Sequence, residues 1–72
     1  MRTRLRVKEV ATEKGISMTK LHHLSEVAYT TIRKIFKDPF TEINTSTLNR
    51  LATALGVETR DLLEDVPDED SQ

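Results

Sequence analysis

Residues 28–37 combine hydroxyl, aromatic and basic side chains on one face of a predicted short helix with apolar side chains on the other. Ile32 and Ile35 share the apolar face, because residues three apart are neighbours on a helix. On the other face, a Thr methyl can contact thymine, and an Arg can donate two hydrogen bonds to guanine O6 and N7. This face suits the edges of bases in a DNA major groove, with a merely solvated helix face as the common alternative. Its residues are Tyr29, Thr30, Arg33 and Lys34.

A second helix and a three-residue turn before this segment would hold that face in place. A helix-turn-helix unit needs an apolar residue in its first helix, one just after the turn residue, and two in its second helix. Leu21, Val27, Ile32 and Ile35 have this spacing. Leu24, three residues after Leu21, is expected on the same inner face. The spacing therefore predicts a helix-turn-helix unit whose second helix has a free outer face.

Start and stop signals along the rest of the chain predict an all-α domain of five helices and no strands. Gly15 and Gly56 stand where left-handed residues end helices. Ser17 is a suitable N-cap for the second helix, as is Asn44 or Thr45 for the fourth. The predicted helices cover about residues 3–14, 18–24, 28–37, 46–55 and 58–64.

Charge is distributed unevenly along the 72 residues. Residues 1–37 have nine basic and three acidic side chains, a net +6, and residues 38–72 have two basic and nine acidic, a net −7. A basic half suits phosphate, and an acidic half suits solvent or a protein partner. We expect one domain over residues 1–66 and a disordered acidic tail over residues 67–72, which mainly keeps the protein soluble.

Several classes of protein do not fit the composition. The chain has no cysteine, so disulfides and thiolate metal sites are excluded. No apolar run approaches the roughly 20 residues that span a bilayer, and a secretory signal is not evident, so we expect a cytoplasmic protein without membrane contact. His22 and His23 point about 100° apart on a helix, so neither a metal site nor a cofactor is expected; we expect a structural role for His22 and a solvent or phosphate contact for His23. Nothing arranges Ser, His and Asp as a triad, and we expect no enzyme.

The chain resembles the phage-repressor/Cro-type (XRE-like) helix-turn-helix family over about residues 7–63. The most specific matching piece is the run Leu-Ala-Thr-Ala-Leu-Gly-Val at residues 51–57. The other matching positions are residues 14–17, Leu21, Val27, Thr31, Ile32, Ile35, Leu62 and Leu63. The resemblance implies a lambda-repressor-like fold of five helices and DNA binding.

Several positions depart from the family pattern. Met18 stands where the family usually has a Gln that contacts phosphate, and His22 where it has Ala. Glu26 stands where it has Gly, and a left-handed Glu costs about 1 kcal/mol more than Gly. Ala11 and Phe36 stand where family members often pair an Arg with a Glu. We expect an apolar contact in place of that ion pair, with an exposed Phe36 that touches DNA or a partner as the alternative.

The resemblance also implies where DNA is contacted. The positions matching Tyr29, Thr30 and Lys34 are base readers in the family, and Arg33 is added from its own chemistry. Helix N-termini and basic or hydroxyl side chains commonly bind phosphate. The predicted phosphate contacts are Thr19, Lys20, Thr31, Lys37, Asn44, Thr45 and Ser46.

Two further contacts are expected outside the helix-turn-helix unit. Family members usually bind as dimers on half-sites about 34 Å apart. The predicted homodimer surface is Leu62, Leu63 and Val66, in and just after the fifth helix, with burial of both leucines in the core as the alternative. Arg2 and Arg4 are expected to form a mobile basic arm that reaches an adjacent groove or backbone.

These observations predict a sequence-specific, repressor-like transcriptional regulator that binds double-stranded DNA. Two alternatives stay open. One is the antitoxin of a toxin–antitoxin pair, which would hold a basic toxin through its acidic C-terminal segment. The other is a protein-interaction module that has kept the fold and lost DNA binding.

Overall fold

Helix starts lie close to the residues that the capping pattern predicts. The structure, a computed structural model that describes residues 1–67, has four α-helices in that part of the chain. Ser17 Oγ accepts a hydrogen bond from the backbone N–H of Lys20 (3.1 Å), and Asn44 Oδ1 accepts one from the backbone N–H of Thr47 (2.8 Å). The helices are α1 (Val7–Glu13), α2 (Met18–Ser25), α3 (Tyr29–Lys37) and α4 (Thr45–Leu55).

The two glycines end helices in the left-handed conformation. Gly15 follows α1 with φ 69°, and Gly56 follows α4 with φ 71°. A residue with a Cβ atom adopts such angles only with strain, whereas glycine adopts them freely. The predicted stops at both glycines are confirmed.

Two short strands join the N-terminal and C-terminal parts of the described chain, which corrects the prediction of a fold without strands. The strands pair in antiparallel fashion, with Leu5 opposite Leu63. The backbone N–H of Leu5 also donates to the carbonyl of Pro39 (2.7 Å). Because residues 2–5 form these long-range bonds, α1 begins at Val7 and not at residue 3. The strands are β1 (Arg2–Leu5) and β2 (Leu63–Val66).

The predicted fifth helix is also corrected. A single 3₁₀ helix, Thr59–Leu62, stands in its place, and the backbone N–H of Glu58 donates to Asp61 Oδ2 (3.0 Å) at its start. Leu62 is fully buried, and its carbonyl accepts a hydrogen bond from the backbone N–H of Arg6 (2.8 Å). This bond continues the pairing of β1 with β2, so the chain leaves the helix at Leu62 and extends as a strand.

The core lies between the four helices and the sheet, and α2 contributes to it differently from the prediction. Leu21 is fully buried, but Leu24 is 51% exposed. Ser25 takes the inward position in the last turn of α2, and its hydroxyl donates to the carbonyl of Leu21 (2.7 Å). The largest side chains that are fully buried are Leu21, Ile32, Ile35, Leu51, Leu62 and Val7.

The two positions at which an apolar contact was expected both belong to the apolar core region. Ala11 is fully buried, and Phe36 is half-buried and packs against the same core cluster. The half-buried state of Phe36 favours an apolar role in the core over the alternative in which it is exposed and touches DNA or a partner. Two uncharged residues can replace an ion pair without loss of stability when both partners change together.

Most of the predicted acidic tail, residues 67–72, lies beyond the residues that the structure describes. Pro67 follows β2 and is exposed, and residues 68–72 lie outside the described residues. Within residues 1–67, every helix is too short or too polar to cross a bilayer.

Candidate nucleic-acid interface

The second and third helices form a helix-turn-helix unit. α2 ends at Ser25, three residues form the turn, and α3 begins at Tyr29. Ile32 (0% exposed) and Ile35 (1% exposed) anchor the inner face of α3 in the core. Since residues on the opposite face of a helix point away from its anchor, the outer face of α3 is available to a ligand.

The turn has the left-handed residue that the spacing requires, although that residue is a glutamate. Glu26 has φ 60° and ψ 22°, and it alone among the non-glycine residues of the described chain has a positive φ. Its backbone N–H donates to the carbonyl of His22 (3.0 Å). The turn therefore keeps its geometry despite the cost of a left-handed side chain.

Two side chains of α2 stabilise this turn; the sequence predicted a structural role for His22 but neither of the two bonds. Ser25 Oγ accepts a hydrogen bond from the backbone N–H of Val27 (3.2 Å), and His22 Nδ1 lies 2.6 Å from the carbonyl oxygen of Val27. The burial of Ser25 could have been predicted, because it lies four positions after Leu21 and therefore on the same core-facing side of the helix. The histidine bond had no comparable signal, because it depends on the direction of the chain after the turn.

The predicted base-contacting residues share the outer face of α3. Tyr29, Thr30, Arg33 and Lys34 are all exposed, although Tyr29 is covered in part by the His22 ring. Thr30, Arg33 and Lys34 line a shallow depression of about 260 Å³ together with Lys37. The structure thus brings one hydroxyl and three cationic side chains together on one face of α3.

Most of the predicted phosphate contacts are exposed around α3. Thr19 and Lys20 are exposed in the first turn of α2, and Lys37 is exposed at the end of α3. Thr31 is half-buried, so it has less surface to offer than the others. At the start of α4, Asn44, Thr45 and Ser46 are exposed, and the first N–H groups of a helix lack partners within the helix.

The predicted N-terminal arm is corrected, because both of its arginines are held in the sheet. Arg4 bonds to the carboxylates of Glu9 and Glu64, the latter at 3.0 Å. The hydrogen bond that Arg4 donates to the Glu9 carboxylate raises the pKa of Arg4 above its usual value. Arg2 lies with its guanidinium 3.8 Å from the centre of the Phe40 ring, in a cation–π contact. These two residues are therefore structural and do not form a mobile arm.

Only part of the predicted dimer surface is exposed. Leu62 is fully buried and cannot meet a partner, which corrects its assignment. Leu63 is 38% exposed and Val66 is half-buried. The acidic side chains beside them face β1, since Asp65 accepts a hydrogen bond from Thr3 Oγ1 (3.4 Å) and Glu64 pairs with Arg4.

A three-residue turn with its middle residue buried, a well-anchored second helix and an exposed polar face on that helix define the class of helix-turn-helix DNA-binding domains. Residues 6–68 match the family model of the Cro/C1-type HTH DNA-binding domain. The chain belongs to this family, and the earlier resemblance is confirmed. A search of curated proteins finds no match to the chain.

Proposed function

We propose that the protein is a sequence-specific regulator of transcription that binds double-stranded DNA with α3 in the major groove. Tyr29, Thr30, Arg33 and Lys34 are the residues closest to base edges. The observation that carries this proposal is the exposure of these four side chains on one face of a helix whose other face is locked into the core. Recognition helices need this combination because base readout requires fixed side-chain positions.

The ion pairing of the basic side chains also supports the outer face of α3 as the DNA-binding surface. Arg33, Lys34, Lys37 and Lys20 form no ion pair within residues 1–67. Arg4 and Arg60, in contrast, are paired with carboxylates. A cation that already has a partner must break that contact before it binds DNA, whereas an unpaired one loses only its hydration. These four cations can therefore bind a nucleic-acid ligand without first breaking an ion pair.

Phosphate contacts on both sides of α3 would fix its depth and register in the groove. Lys20 and Thr19 lie before α3 in α2, and Lys37 lies at its end. The exposed N-terminus of α4, capped by Asn44, adds backbone donors and the positive end of a helix dipole. Such contacts are independent of sequence, so specificity comes from the outer face of α3.

One domain of this size covers a half-site, so we propose that two copies bind together on DNA. Half-sites of such dimers lie about 34 Å apart, one turn of the double helix. Leu63 and Val66 are the remaining candidates for the contact between copies, as apolar residues in β2 that reach the surface. Repression follows where the bound site overlaps a promoter.

Selection from a randomised duplex pool at about 150 mM salt tests the proposal, because nonspecific phosphate attraction is weakened there. We expect an inverted repeat to be enriched. A single short site would support sequence-specific binding by one copy and contradict the dimer. If the folded protein enriches no sequence, the proposed function is wrong, and a protein-binding role, with a toxin or another partner, takes its place.

A further inference from the structure

His22 contacts both the turn and the first residue of α3. Its Nδ1 atom lies 2.6 Å from the carbonyl oxygen of Val27, and its ring meets the Tyr29 ring edge-on, with centroids 6.1 Å apart and an interplanar angle of 80°. A carbonyl oxygen can only accept, so Nδ1 must be the protonated ring nitrogen in this bond. The histidine is half-buried, in keeping with a ring enclosed by these contacts.

With the bond from His22, both the N–H and the carbonyl of Val27 have hydrogen-bond partners. Ser25 Oγ accepts from the Val27 N–H, and His22 donates to the Val27 carbonyl. Val27 itself is buried, so an unmet backbone group here would carry a desolvation cost. Side chains from α2 thus hold both polar backbone atoms of the residue that leads into α3.

No side chain caps the start of α3, which makes the turn bonds more important. Ala28 occupies the N-cap position and has no side-chain hydrogen bond to offer. Its carbonyl accepts the first bonds of the helix, from the N–H groups of Thr31 (3.0 Å) and Ile32 (3.2 Å). The direction in which α3 starts is therefore tied to the Val27 peptide, and so to His22.

We propose that His22 is a positioning residue for DNA recognition: it holds the turn at Val27 and orients the Tyr29 side chain toward its base pair. This inference rests on the proposed function, since it names what sets the specificity of that same surface. The Tyr29 hydroxyl has no hydrogen-bond partner in the part of the chain that the structure describes. An edge-on ring contact restricts a tyrosine side chain while its hydroxyl stays available.

A substitution of His22 by asparagine separates the two contacts. The Asn Nδ2 atom occupies nearly the place of His Nδ1, so His22→Asn can still donate to the Val27 carbonyl. It lacks the ring that meets Tyr29. The neighbouring His23→Asn is the matched control: His23 is exposed and has no hydrogen bond within residues 1–67, and its ring meets the His22 ring (centroids 5.1 Å apart), so the control also shows what loss of that ring pair does by itself.

The quantity measured is the ratio of affinities for the selected operator and for each of its single-base variants. If His22 only stabilised the fold, its substitution would lower this ratio at every base pair alike. The base pair read by Tyr29 is the one at which Tyr29→Ala loses preference. A base pair read directly is worth roughly tenfold or more in affinity, and we expect His22→Asn to reduce this to about twofold at that position alone. In the Tyr29→Ala background, His22→Asn should have no further effect there.

Three results would overturn the inference while the proposed function stands. They are unchanged discrimination in His22→Asn, an equal loss in His23→Asn, and a Tyr29→Ala variant that loses preference at no base pair. Nitrogen NMR of the wild-type His22 ring at about pH 8.5 gives a test that needs no variant to fold: a proton on Nε2 in place of Nδ1 would exclude the bond to Val27. A wild type that selects no DNA sequence is a different failure, because it removes the proposed function itself.

Discussion

Leu62 and Leu63 are neighbours in sequence, but they have opposite environments. Leu62 is fully buried in the core, whereas Leu63 is 38% exposed at the start of β2. The change from a 3₁₀ helix to an extended strand between them turns one side chain inward and the next outward. One leucine therefore contributes to stability, and the other is available for contact between molecules.

This difference predicts unequal effects of two otherwise identical substitutions. Leu62→Ala should lower the free energy of unfolding by about 2–5 kcal/mol, because it leaves a cavity in the core. A domain of this size has a total stability on the order of 5 kcal/mol, so the variant should be largely unfolded in mild urea. Leu63→Ala should change stability by less than about 1 kcal/mol. Urea titrations followed by circular dichroism measure both, and equal losses would contradict the assignment of Leu62 to the core.

The same Leu63→Ala variant tests the proposed dimer surface. If Leu63 contacts the second copy, cooperative binding to an inverted repeat should weaken while binding to an isolated half-site stays the same. Gel-shift titrations on a full site and on a half-site give the comparison. An unchanged ratio of the two affinities would remove Leu63 from the contact.

Removing the cations of the recognition face should weaken DNA binding without unfolding the protein. The double substitution of Arg33 and Lys34 by alanine should reduce affinity for the selected site by about 100-fold, since each good base contact is worth roughly 1–3 kcal/mol. Stability should stay within about 0.5 kcal/mol, because both side chains are exposed and unpaired.

A control for that variant removes the same charge elsewhere. Lys8 and Arg50 are exposed and form no ion pair within the described residues. Their double substitution by alanine should change affinity by less than about threefold, because Lys8 lies in α1 and Arg50 in α4, so neither belongs to the outer face of α3 that reads bases. Fluorescence anisotropy with a labelled operator measures both variants, and equal losses would mean that net charge, not position, governs binding.

A glycine at position 26 should stabilise the turn. Glu26 has φ 60°, which costs a residue with a side chain about 1 kcal/mol relative to glycine. Glu26→Gly should therefore raise the free energy of unfolding by about that amount. Glu42→Gly makes the same change of charge at an exposed loop residue without a positive φ, and it should be neutral or destabilising. Thermal melts that rank the two variants in the opposite order would show that Glu26 is not strained.

The hydroxyl of Ser25 should be important to the stability of the turn. Ser25 is 5% exposed, and its Oγ bonds to both the Leu21 carbonyl and the Val27 N–H. Ser25→Ala leaves that N–H without a partner in a buried site and should cost about 1–3 kcal/mol. Ser46→Ala, at an exposed position, should change stability by less than about 0.5 kcal/mol. Chemical denaturation compares them, and a neutral Ser25→Ala would mean that water replaces the hydroxyl.

Local sequence signals predicted the helix-turn-helix unit well. The N-caps at Ser17 and Asn44 and the glycine stops at Gly15 and Gly56 act within one turn of helix, so the residues themselves specify them. The exposed face of α3 was predictable for a similar reason. Ile32 and Ile35 determine which side of the helix is buried, and helical spacing then fixes the opposite side.

The elements that sequence reasoning missed depend on contacts between distant residues. β1 and β2 are four residues each, too short for a periodic pattern, and they pair across nearly the whole chain. That pairing turned the expected basic arm into a strand, with Arg4 bound to Glu64. It also placed Leu62 in the core and Leu63 at the surface.

The sequence by itself determined the existence and order of the four helices, the glycine stops after α1 and α4, and the exposed face of α3. Tertiary structure decided that the two ends form a sheet and that Leu24 is exposed while Ser25 is buried. It also decided that His22 supports the turn. The physical reason is range: capping and periodicity act over three or four residues, whereas strand pairing and core access depend on which distant segments meet after the chain has folded.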